Sequence, residues 1–196
     1  MRPSHEELKT LWVYCYARAS LLEAEQWLDA MGHTDAESSQ FRALLCAAVV
    51  AYARPFTISQ VTPKERLVPL DGVLPPPQLV ASHAMLLKSR DKLFGHKDGT
   101  PAKGDSTTPN LLLIRRRATD VDLHTVFVKE MGPHTRKEAK ELCSHFVAHC
   151  ESLAQPILDR CQPEIMRRPI GVYELLVTEP PEDWIRVWRH GSHGTG

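Results

Sequence analysis

LVASHAMLLKSRDKLFGH, residues 79–96, is the stretch from which the fold is read. Leu79, His83, Leu86, Leu87, Arg90 and Phe94 recur at intervals that share one face of a helix. Pro77 suits a first helical turn and Gly95 can stop the helix, so the spacing predicts a helix from about Pro77 to Phe94. An apolar face of that length has to be covered by other elements. Arg90 stands in the middle of it. Burying an unpaired guanidinium is expensive, so Arg90 needs a carboxylate from another helix, a subunit junction or an anionic ligand. The pattern leaves these alternatives open.

The covering elements are helices as well. Ser4 followed by Glu7 is a capping-box pattern, and Gly32 can end the helix it opens. Between them Leu8, Leu11, Trp12, Cys15, Ala19 and Leu22 form the expected buried stripe. A second helix is predicted from about Thr34 to Arg54. Phe41, Leu44, Leu45, Ala48, Val49 and Tyr52 lie on one side, and Cys46, Ala47, Val50 and Ala51 fill much of the other. Because it is apolar nearly all round, it is expected at the centre of a bundle. Pro55 ends it. A further helix spans about Pro133 to Arg160, with Ala139, Leu142, Phe146, Cys150, Leu153 and Ile157 as its stripe and a kink expected at Pro156.

Residues 55–76 form a long connection rich in proline (Pro63, Pro69, Pro75, Pro76). After a polar loop, Leu111–Arg117 and Leu123–Glu130 are strand-like, with a turn at Thr119–Asp122, which predicts a small β-hairpin. From Pro163 the chain is irregular, with an apolar piece at Val172–Val177 and the pair Trp184 and Trp188. The expected fold is therefore mainly α: an antiparallel bundle of about four long helices with an appended hairpin. Residues 1–160 form the bundle, with the hairpin at about 110–130, and 161–196 form a C-terminal extension.

Composition narrows the function classes. Hydrophobic residues at 42% and charged residues at 24% describe a globular chain. Lys plus Arg and Asp plus Glu balance at 24 each, so no global field draws the chain to nucleic acid or a membrane. Any such binding needs a local patch. No apolar run reaches the roughly 18 residues of a bilayer span, and MRPSHEELK is too polar for a signal peptide. The five cysteines are odd in number and lack a Cys-x-x-Cys pair, which predicts reduced, mostly buried thiols in a cytoplasmic protein.

The segment after Arg90 carries the candidate chemistry. Arg90 and His96 are six positions apart and do not share a face of an uninterrupted helix, but Gly95 can break the helix and turn His96 back. An arginine can hold a phosphate oxygen through two hydrogen bonds, and a histidine beside it can move a proton near neutral pH. SRDKLFGHKD resembles the signature of HEPN domains: an arginine, a polar residue, and then a histidine. Arg90, Asp91 and His96 fill those places, with five residues between arginine and histidine. AVVAYARPF and LLKSRDKLFGH are also similar to HEPN-like bacterial proteins. The resemblance covers roughly residues 1–160 and leaves the hairpin and the C-terminal segment unexplained. It implies a small helical bundle with the motif late in one helix, and a homodimer in which the motifs of two chains face each other. Many such proteins are metal-independent ribonucleases of defence or toxin–antitoxin systems, so RNA and a cognate antitoxin are the implied partners, with no cofactor. Others keep the fold and serve as protein- or nucleotide-binding modules.

Two further constellations stand beside this one. His145 and His149, four residues apart with Cys143 and Cys150 nearby, could face a metal from one side of a helix. No glutamate completes a His-Glu-x-x-His pattern, and the heptad spacing of the cysteines fits core packing, so no metal site is expected. Arg115, Arg116 and Arg117 end the first strand of the hairpin, either as a solvated strand end or as a patch that contacts RNA phosphates.

Overall fold

The computed structural model describes residues 3–36, 38–62, 65–90, 111–116, 121–126, 131–170, 173–175 and 185–187. The helix α1 (His5–Met31) begins as the sequence predicts. Ser4 is extended, its Oγ accepts from the Glu7 amide at 3.2 Å, and the Ser4 amide donates to the Glu7 carboxylate at 2.7 Å. Two otherwise orphaned amides are thereby satisfied. The helix α2 (Ser39–Ala53) starts later than Thr34. Thr34 instead donates to the Ala30 carbonyl at the end of α1, and Ser38 is the cap, its Oγ accepting from the Phe41 amide at 3.0 Å.

The bundle is completed by α3 (Val80–Arg90), which follows a 3-10 turn at Pro77–Leu79, and by α4 (Pro133–Ile165). α1 packs on α2 and on α4, and α3 packs on the same two helices. Three ion pairs fix the direction of α4 against α1: Glu7 with Arg160, Arg18 with Glu151 at 2.7 Å, and Asp29 with Lys140 at 2.6 Å. Numbers rise along α1 as they fall along α4, so the two run antiparallel. The architecture is a mainly helical bundle.

Which faces are buried differs from the sequence stripes in two places. On α1 the buried line is Leu8, Leu11, Ala17, Leu21, Ala24 and Leu28. Cys15 and Ala19, expected on the stripe, are exposed, while Trp12 and Leu22 are half-buried. The reason is that α1 is covered by α2 on one side and by α4 on the other, so its buried line follows both neighbours. Small residues such as Ala17 and Ala24, both at 0% exposure, let its neighbours approach. Trp12 lies flat on Tyr16, one turn on, with ring centroids 5.4 Å apart. α2 turns Phe41, Ala48, Val49 and Tyr52 inward and leaves Cys46, Ala47 and Val50 half-buried. On α4 the line Ala139, Leu142, Phe146, Cys150, Ile157 is buried as expected, but Ala154 takes the place of Leu153, which is 38% exposed. α4 continues through Pro156 and Pro163 to Ile165, past the Arg160 end that the sequence predicts.

The connection after α2 is more structured than its sequence indicates. A 3-10 turn at Arg54–Phe56 leads into a two-stranded antiparallel ribbon, β1 (Ser59–Thr62) with β2 (Glu65–Leu67). β3 (Leu111–Arg116) and β4 (Val121–Val126) pair antiparallel, with Leu111 opposite Val126 and Arg116 opposite Val121. The Thr119 end of the expected turn and residues 127–130 lie outside the described residues. In the C-terminal segment β5 (Tyr173–Leu175) pairs with β6 (Ile185–Val187). Ile185 is buried against Leu8, Leu11, Ile157 and Cys161, at one end of the α1–α4 interface. Trp184 and Trp188 lie outside the described residues. No described helix is long and apolar enough to cross a membrane.

Candidate functional site

α3 carries both residues of interest among those described. Leu79 and Leu86 are buried, and Leu87 is half-buried, so the stripe has the predicted orientation. Ser82 fastens the helix to α4 by donating to Glu138 at 2.7 Å, and Glu138 also meets His134, 3.3 Å away. Arg90 ends α3. The stripe predicts burial for it; it is half-buried and engaged by neighbouring groups. A half-buried guanidinium reaches water along its stem. Asp91 and His96, the other motif residues, lie outside the described residues, as does Arg117. The backbones of Arg115 and Arg116 sit in β3 opposite Asp122 and Val121.

His83, two turns before Arg90, occupies a place whose chemistry the stripe alone does not reveal. Its Nδ1 is 2.7 Å from the hydroxyl of Tyr52 on α2. The imidazole meets Phe56 edge-on at 4.8 Å, and Phe146 of α4 lies 5.5 Å away. Phe56 and Phe146 are themselves in edge contact at 4.8 Å. Burial favours the neutral imidazole and holds His83 below the ordinary histidine range. Burial, with the Cys143 thiol nearby, pushes the Tyr52 phenol well up, so it keeps its proton. The phenol is the stronger acid and the imidazole nitrogen the stronger base, so the bond is assigned as Tyr52 O–H donating to Nδ1, with the ring proton on Nε2. His83 is thereby held as a hydrogen-bond donor on the side away from Tyr52. The signal in sequence was present: a histidine on α3's stripe and a tyrosine on α2's each require a polar partner when covered.

The histidines of α4 have separate surroundings. His145 is exposed, with Nε2 3.3 Å from the Leu74 carbonyl and its ring edge-on to Phe146. His149 lies edge-on to Tyr14. No three histidine, cysteine or acidic side chains converge as metal ligands among the described residues. All five thiols are free: Cys143, Cys150 and Cys161 are buried, Cys46 is half-buried and Cys15 is exposed. Burial pushes the Cys143 thiol up to about 12 and the Cys150 thiol up to about 11, which leaves both as unreactive thiols at neutral pH. No family model matches the chain, and no curated protein or solved structure matches it.

Proposed function

We propose that this protein is a HEPN-like, metal-independent endoribonuclease of a defence or toxin–antitoxin type system, acting as a homodimer in the cytoplasm. The observation that supports this reading is the position of Arg90. The motif arginine stands half-buried on α3, a helix that packs against both α2 and α4. That is a protected yet accessible place for a phosphate-holding group.

In the proposed reaction His96 takes the proton of a ribose 2′-hydroxyl, and the 2′-oxygen attacks the adjacent phosphorus. The bond from phosphorus to the 5′-oxygen breaks, and that oxygen leaves with a proton supplied by His96 of one chain or the other. Arg90 stabilises charge growing on the non-bridging oxygens, and Asp91 orients Arg90. Arg115, Arg116 and Arg117 hold flanking phosphates. The nucleophile is already in the substrate, so no metal is required to generate it.

Cleavage of RNA by the purified protein tests this. Activity should persist in EDTA, leave a 2′,3′-cyclic phosphate and fail on DNA of the same sequence. His96→Ala should lower the rate by about 10²–10⁴-fold with an unchanged melt. Activity that survives His96→Ala, or that chelator removes, excludes the mechanism. A well-folded dimer that cleaves no RNA points to the other HEPN-like role, a binding module for protein or nucleotide.

A further inference from the structure

Beside α3, at His83, the chain forms an open cavity of about 560 Å³. One wall is α3 itself, through Val80, His83 and Ala84. The opposite wall is the segment from Val68 to Pro77, and Phe56 lies between them. This second wall is a built structure. The Leu70 amide donates to the Pro55 carbonyl at 2.9 Å, the Val73 amide donates to the Leu70 carbonyl at 3.3 Å, and Leu70 is 2% exposed. Its sharpest turn is at Gly72, whose φ of +72° is the left-handed conformation that glycine adopts without strain. His145 of α4 holds the rim at the Leu74 carbonyl.

The lining is chemically simple. Apart from Asp71 and His83, every lining residue is apolar or glycine. Leu74 and Val80, on opposite walls, are 79% and 51% exposed. Apolar side chains of that size held in water on both lips of a hollow lower the free energy of an apolar guest that covers them. The volume lies within the roughly 300–1,000 Å³ usual for small-molecule sites. His83 supplies one directional group. With Nδ1 assigned as the acceptor from Tyr52, the remaining ring donor is Nε2–H. Asp71, exposed on the loop, disfavours an anion.

We infer that this cavity is a binding site for a small, uncharged, largely apolar molecule, of bicyclic-aromatic size, that presents one carbonyl-type acceptor to His83. Its lining does not include Arg90, and the proposal does not depend on the ribonuclease reading. Either can fail without the other.

The probe is 6-propionyl-2-dimethylaminonaphthalene, a neutral naphthalene ketone whose emission shifts to the blue in apolar surroundings. The full chain should bind it saturably, one per chain, with a blue shift. Ala84→Trp, at an exposed position of α3 facing the cavity, should weaken binding at least tenfold by filling the space. Val80→Arg, on the exposed lip, should do the same and guards against misfolding of the first variant. His83→Phe keeps the apolar wall and should weaken the ketone about three- to tenfold, the worth of one net hydrogen bond. The same variant should leave 2-dimethylaminonaphthalene, which lacks the carbonyl, unaffected. No saturable binding by the unmodified chain overturns the site, as does undiminished binding when Ala84 and Val80 are both replaced. Equal binding of the ketone by His83→Phe overturns the assigned acceptor.

Discussion

On α3 a histidine and an arginine share one stripe two turns apart, and their environments give them different fates. His83 is covered by aromatic rings and kept neutral; Arg90 is half-buried and engaged by neighbouring groups. The groups around His83 that titrate are Tyr52 behind it, Cys143 beside that phenol, His145 across Phe146 and Asp71 across the cavity. Because burial lowers the folded-state value, the unfolded chain takes up the proton more readily. The contribution of neutral His83 to stability is then complete above the unfolded value of about 6.5 and is lost as pH falls through the folded value. His83→Gln keeps an acceptor for Tyr52 but cannot titrate. Acidification from about pH 7.5 to 5.5 should therefore lower the melting temperature more in the natural chain than in His83→Gln. Parallel slopes in calorimetry would show that His83 does not carry this effect. That His83 needed a partner was legible in its place on the stripe. That the partner is Tyr52, 31 residues earlier on another helix, was not, because periodicity describes one element at a time.

Within elements, the features set by a few neighbouring residues were legible, and those set by packing were not. The capping box needs only Ser4 and Glu7, and it forms as read. The choice between Leu153 and Ala154 depends on which side of α4 meets α1. Periodicity tolerates a shift of one residue; the structure buries Ala154 and leaves Leu153 38% exposed. This has a measurable consequence. Leu142 is fully buried between the helices, and Leu142→Ala should destabilise the chain by about 2–5 kcal/mol through lost burial and the cavity left behind. Leu153→Ala should change stability by only about 0.5 kcal/mol. Urea unfolding of the two variants decides the matter, and comparable losses would restore the stripe read from sequence. The ribbon β1–β2 escaped notice for a related reason. SQVT and ERL are short, polar and lack an apolar alternation, so nothing local distinguishes them from the proline-rich connection they interrupt.

For the molecule as a whole, helical class followed from stripes that can be buried only against one another, whereas the central place expected for α2 did not. α2 is the more apolar, but it packs on α1 and α3 just as α1 packs on α2 and α4, so each helix has two neighbours. Function at this scale turns on whether one chain is enough. The chain has no net charge, with 24 cationic and 24 acidic residues, so RNA would have to be held by a local cluster. A two-fold dimer doubles such a cluster, bringing two copies of Arg90 and His96 together, which the resemblance to HEPN domains implies. Light scattering should give the mass of a dimer; a monomer at high concentration would remove the composite site. The stricter prediction comes from mixing two inactive chains, Arg90→Ala and His96→Ala, after unfolding and refolding them together. If each site takes its arginine from one chain and its histidine from the other, half of the dimers are mixed and each has one complete site. The mixture should then regain about a quarter of the natural activity. If arginine and histidine act within a single chain, neither parent supplies a whole pair and mixing restores nothing.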